Sequence, residues 1–158
     1  MPTLFDSNIS ATGYDNLSES LANLMSGEEN FVSNMANASA LLRMQLPEVD
    51  WVGFYLWDAE RRILQLGPFQ GLPACPRIPW GKGLCGQALM QGTTVIMNGS
   101  DGANGFGFGR SEIALPLQQG RTIIGVLSID SPAIGRFSNY DREQLEDFVK
   151  RLVHHHAL

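Results

Sequence analysis

Between residues 66 and 86 the chain reads LGPFQGLPACPRIPWGKGLCG, and nine of these 21 residues are glycine or proline. Proline fixes φ and has no backbone N–H, and glycine favours turns. No long helix can cross this stretch, and regular strand pairing is expected to fail within it. The fold must therefore be built on either side of it. The same stretch carries the only two cysteines of the chain, Cys75 and Cys85, with nine residues between them. Two thiols on one constrained loop point toward redox chemistry.

Helical periodicity dominates the N-terminal part. Leu17, Leu21 and Leu24 recur at helical spacing and predict a helix over about residues 14–25, after an extended lead-in over 1–13. Ser26 with Glu29 three residues on has the form of a capping box and predicts the start of a second helix. Its apolar stripe runs through Phe31, Met35, Ala38 and Leu42, and Pro47 stops it. The middle is rich in strand signals: 51–57 (WVGFYLW), 63–66, 93–97, 111–117 (SEIALPL) and 122–129 (TIIGVLSI), with turns at 58–61 and 118–121. Pro116 predicts an edge or a bulge. A short helix is expected over 84–90. Ser138 can cap a last helix with Asp141 and Glu143 near its positive end, and Leu145, Phe148, Val149, Leu152 and Val153 form one face. Helices at both ends of an antiparallel sheet predict an α+β domain spanning 1–158.

The 158 residues are 44% hydrophobic and 17% charged, as in an ordinary globular domain. A net charge of −5 with no basic run argues against nucleic acid as a partner. No apolar run approaches the roughly 20 residues of a membrane helix, and the N-terminus has no signal-peptide pattern. A cytoplasmic setting is expected, where thiols are reduced or redox-active.

WVGFYL at 51–56, LGPFQG at 66–71, ACPRIPWGKGLCG at 74–86, SEIALPL at 111–117, IIGVLSIDS at 123–131 and GRF at 135–137 together resemble a GAF domain. More narrowly they resemble the free methionine-(R)-sulfoxide reductase family, a stand-alone GAF enzyme. The resemblance covers most of the chain from residue 51 onward. It implies a single GAF domain that reduces the sulfoxide of free methionine by cysteine chemistry, with thioredoxin as reductant, no cofactor, and a homodimer. It also implies a third cysteine, the family's usual nucleophile, shortly before the SEI strand. Here 98–110 reads NGSDGANGFGFGR, and Gly105 stands near that position. Of two aspartates usual in the strand over 122–129 and its end, this chain has Ser128 and Asp130.

The candidate site follows. Cys75 and Cys85 form a redox pair or are two small buried thiols, and Cys85 near a helix start is expected to have a lowered pKa. Trp51 and Tyr55 share a strand face and are expected either to wall a pocket for a methionine-like side chain or to fill the core. Glu112 and Asp130 are expected to serve as acid and ligand anchors, with Ser128 beside them. A metal site is not expected from these spacings. His154, His155 and His156 read as a frayed helix end or a tag remnant, and residues 98–110 as a lid or an inert loop. Two functions stand: a weakened sulfoxide reductase, or a non-catalytic module that binds a small amino-acid-like ligand.

Overall fold

A computed structural model describes residues 13–99 and 111–156. Its elements are α1 (Leu17–Met25), α2 (Phe31–Gln45), β1 (Trp51–Asp58), β2 (Ile63–Gln70), β3 (Arg77–Pro79), α3 (Gly83–Gln91), β4 (Val95–Met97), β5 (Ser111–Gln119), β6 (Thr122–Ser131) and α4 (Asn139–His155). The strands form one antiparallel sheet in the order β3-β2-β1-β6-β5-β4. The α+β expectation holds.

Period-two alternation divides the sheet into two unlike faces. Val52 and Phe54 of β1, Ile113, Leu115 and Leu117 of β5, and Leu127 and Ile129 of β6 form the main core with the apolar stripes of α1, α2 and α4. The residues between them, Trp51, Tyr55, Ala114 and Val126, join a second cluster with Leu84, Cys85, Ala88 and Leu89 of α3. The candidate site lies on this second, less thickly covered face.

Three boundaries differ from expectation. Ser26 does not open the second helix; it ends α1. Gly27, at φ +75°, turns the chain, and Asn30 caps α2 by accepting a hydrogen bond from Ser33 N–H at 3.0 Å. Strand β2 runs past Leu66 through Gly67 and Pro68. The register shifts there, so that two residues of β2 face the single Phe54, a bulge in which Pro68 is tolerated. The cysteine stretch, expected to lack strand pairing, contains the edge strand β3, with Ile63 opposite Pro79 and Gln65 opposite Arg77. A proline is acceptable on such an edge. Pro116 lies on β5 beyond the last residue paired with β4 and beside a register shift at Leu117/Gln118, so the edge-or-bulge expectation holds.

The β6–α4 connection is a junction. Ser111 Oγ–H donates to Ala133 O at 2.6 Å and accepts from Arg136 N–H at 3.3 Å. Asn98 donates to Phe137 O at 2.8 Å and accepts from Phe137 N–H at 3.1 Å. Ser138 caps α4 through a reciprocal pair with Asp141. The other oxygen of Asp141 accepts from Tyr14 O–H at 2.6 Å, and Arg136 lies 3.2 Å away. The far end of α4 is not frayed as expected: His155 Nε2 lies 2.8 Å from Glu28 O, and His156 Nε2 lies 2.9 Å from Asn34 Nδ2.

Burial alone would raise the pKa of Asp141, but hydrogen bonds from Ser138 and Tyr14 and the Arg136 charge outweigh it, so the net direction is down. A depressed carboxyl pKa stabilises the fold above the unfolded value, about 3.9, and that contribution is lost as pH falls through the folded value. Asp141→Ala is therefore expected to lower the urea-unfolding free energy by about 1–2 kcal/mol near neutrality. The difference from wild type should stay flat from pH 8 to 5 and shrink below about pH 4. A difference that persists undiminished into acid would refute the charge-based account.

Candidate active site

Trp51 and Tyr55 leave β1 on the α3 side with Gly53 between them. The indole ring of Trp51 lies across Gly53, where a Cβ would come 2.4 Å from the ring, and against Gly71, where a Cβ would come 2.6 Å from it. Gly71 also sits at φ +134°, a conformation suited to glycine. Two glycines thus make the seat of one tryptophan. The ring stacks on Phe69 at 5.4 Å and on Tyr55 at 6.1 Å. The expectation that Trp51 and Tyr55 share a face is met, and both line one cavity.

The neighbouring strands supply the polar side. Glu112 of β5 and Asp130 of β6 are directly opposed in the ladder, and Asp130 is opposed to Trp51 across β1 and β6. Both carboxylates are buried, 4% and 2% exposed. Ser128, two residues back on β6 and so on the same face, donates to Glu112 Oε2 at 3.3 Å. Helix α3 brings Cys85 over the same oxygen, with Sγ at 3.9 Å. Ala74, Ile78 and Leu84 complete the lining. The cavity is half-open and its inner space is about 10 Å³, close to the ~10–15 Å³ that holds a single water.

Electrostatics reverses one expectation. Cys85 does not have a lowered pKa. Burial pushes its thiol up, and the neighbouring Glu112 carboxylate adds to this. Burial, followed by the Asp130 charge, raises Glu112 to about 8, against the hydrogen bonds from Ser128 and Cys85. At neutral pH the site therefore holds protons: an acid beside a thiol. Burial also raises Tyr55, which stays a phenol.

Cys75 is not among the lining residues. It is half-buried at the margin, its S–H directed at Arg77 O at 3.2 Å and its carbonyl accepting from Tyr55 O–H at 3.0 Å. Both thiols are free. His154, His155 and His156 lie on α4 or at its C-cap, with His155 and His156 engaged near the α1–α2 turn and away from the pocket. Among the described residues no group of acidic, histidine or cysteine side chains is arranged for a metal, and no helix is long and apolar enough to cross a membrane. Gly105, where a third cysteine was expected, and the rest of 100–110 lie outside the described residues. Sequence reasoning missed Ile78 as a pocket residue. Its signal was a lone apolar residue between Arg77 and Pro79, and the structure buries it between two exposed neighbours.

The GAF domain model matches residues 34–154. "Protein YtsP" of Bacillus subtilis is 43% identical over 143 residues, covering 88% of each chain. "Free methionine-R-sulfoxide reductase" of Escherichia coli is 41% identical over 143 residues, covering 88% of this chain and 86% of that one. The solved structure of fRMsr of Staphylococcus aureus in complex with its substrate matches with a TM-score of 0.84 at 38% identity, over 96% of this chain and all of that one. The free methionine-R-sulfoxide reductase of Neisseria meningitidis in complex with its substrate matches with a TM-score of 0.84 at 36% identity, over 96% of this chain and 93% of that one.

Glu112 offers a direct test of the buried acid. A carboxyl whose folded pKa is raised binds its proton more tightly when folded, so stability declines as pH rises from its unfolded value, about 4.3, toward the folded value of about 8. Glu112→Gln removes this titration. Its melting temperature relative to wild type should rise steadily between pH 5 and 8 and level off above. A pH-independent offset would mean that Glu112 ionises in the ordinary range.

Proposed function

The chain belongs to the GAF domain family, in the branch that contains the free methionine-R-sulfoxide reductases, and on that premise we propose that it binds free methionine-(R)-sulfoxide in the pocket of Trp51, Tyr55, Glu112, Ser128 and Asp130 and reduces it slowly through Cys85 and Cys75. The observation that carries the reading is the meeting of a thiol and a hydroxyl, those of Cys85 and Ser128, on one oxygen of a buried carboxyl, Glu112 Oε2, opposite an aromatic wall. Trp51 and Tyr55 suit the methyl and methylene groups next to the sulfur, and the carboxylates suit an ammonium and a polar S–O group.

In this proposal Glu112 protonates the sulfoxide oxygen and regains its proton from the Cys85 thiol, whose sulfur attacks the sulfoxide sulfur and forms an S–S bond. That bond and the S–O bond then break as the hydroxyl passes to the Cys85 sulfur, which leaves a sulfenic acid on Cys85 and methionine as a thioether. The substrate sulfur gains two electrons and the Cys85 sulfur loses two. The Cys75 thiol then condenses with the sulfenic acid, releasing water and forming a disulfide, and thioredoxin reduces that bond by exchange. Slowness has two sources. A thiol held protonated by burial is a poor nucleophile at neutral pH, and the position near Gly105 that the family's usual nucleophile occupies holds no cysteine. A homodimer belongs to the same proposal.

The raised pKa of Cys85 also favours a second reading, a binding module that holds a small amino-acid-like ligand without turnover. Oxidation of NADPH coupled through thioredoxin and its reductase separates the two. Slow turnover that vanishes in Cys85→Ser supports the enzyme, and sulfoxide binding by calorimetry without turnover supports the module. Activity is expected to be at least about 100-fold below that of a three-cysteine relative, since small misplacements of reacting groups cost about that much. Parity with such a relative would overturn the role given to the third cysteine. Gly105→Cys is expected to raise turnover, and Gly105→Cys with Ser128→Asp to raise it further without simple additivity.

A further inference from the structure

Trp51 and Tyr55 have polar heads as well as rings, and both heads engage the cysteine loop. Trp51 Nε1–H donates to Leu72 O at 2.9 Å, and Tyr55 O–H donates to Cys75 O at 3.0 Å. The next carbonyl, that of Pro76, accepts from Leu66 N–H at 2.8 Å and from Gln65 Nε2 at 2.9 Å, both on β2. Pro73 and Pro76 contribute no N–H to this loop, so its carbonyls are a principal means of holding it to the sheet. Tyr55 engages both parts of the thiol system through its side chain. Its ring lines the pocket together with Cys85, and its hydroxyl holds the backbone of Cys75. Burial keeps the phenol protonated and therefore a donor.

We infer that Tyr55 is the positioning residue for Cys75: its hydroxyl fixes the backbone of the half-buried thiol at the margin of the pocket and so governs how readily that thiol engages the one inside. The inference rests on the two-thiol reading above but makes a separate claim about geometry. It also means that a guest pressing on the Tyr55 ring acts, through one hydrogen bond, on the residue that carries the second thiol.

The test uses the full chain and Tyr55→Phe, which keeps the ring and removes the hydroxyl. In a Cys85→Ser background, where Cys75 is the only thiol, the rate of alkylation by iodoacetamide is read by mass spectrometry. Loss of the tether should raise it by at least about threefold, in line with one net hydrogen bond. Trp51→Phe, which frees Leu72 three residues away, should change it by less than about twofold. In the two-cysteine protein, hydrogen peroxide oxidises one thiol to a sulfenic acid with release of water, and condensation with the second releases another water. Tyr55→Phe should slow the appearance of that disulfide by at least about threefold, lowering kcat for sulfoxide reduction while leaving KM in place. Alkylation at the wild-type rate in Tyr55→Phe would overturn the positioning role. A wild-type protein that forms no disulfide would instead overturn the two-thiol mechanism, and the alkylation result would still decide the role of Tyr55.

Discussion

A slip of β5 by one residue against β6 would carry Glu112 into the helix-covered core, away from Asp130, and turn Ile113 toward the pocket. Everything at the site depends on preventing that slip. The restraint comes from the other face of the same strands. Ile113, Leu115, Leu117, Leu127 and Ile129 are all sealed beneath α1, α2 and α4. At roughly 1.5–3 kcal/mol per fully buried large apolar side chain, the preference for this register far exceeds the cost of two awkward carboxyls on the opposite face. The apolar core thus does the positioning for the polar site without touching it.

The pocket face is assembled on different terms. Two acids, a serine and a thiol are buried together, and the arrangement is tolerable because the site retains protons at neutral pH. A neutral acid beside a neutral thiol avoids the penalty of adjacent buried charges. The same condition that makes the site foldable makes Cys85 sluggish. Stability and reactivity oppose one another here through the ionisation of a single pair of groups.

Much of this was legible in the sequence, and the failures have physical causes. The alternation in WVGFYLW, SEIALPL and TIIGVLSI revealed strands and faces, and hence the shared side of Trp51 and Tyr55. The cap expected at Ser138 is present, and Asp141 completes it with a reciprocal hydrogen bond. The capping-box pattern at Ser26 misled, because Gly27 and Asn30 form the turn and cap instead. The short strand β3 was hidden by its prolines, which an edge tolerates. The pKa of Cys85 was misjudged because proximity to a helix start is visible in sequence and burial under Glu112 is not. His155 and His156 looked idle because their partners, Glu28 and Asn34, lie more than a hundred residues earlier.

Asn98 and Ser111 both fasten to the same short connection, Asn98 to Phe137 and Ser111 to Ala133 and Arg136. The stretch between them therefore begins and ends on one fixed platform. Because loop-closure entropy grows only slowly with length, a change in the number of residues between two anchors held this way adds little to the cost of closing the chain. Substitutions between two such anchors leave in place the register that holds Glu112 opposite Asp130. Chemistry can then diverge among relatives faster than architecture, and exchanging this one cassette between them is a practical route for moving reactivity from one chain to another.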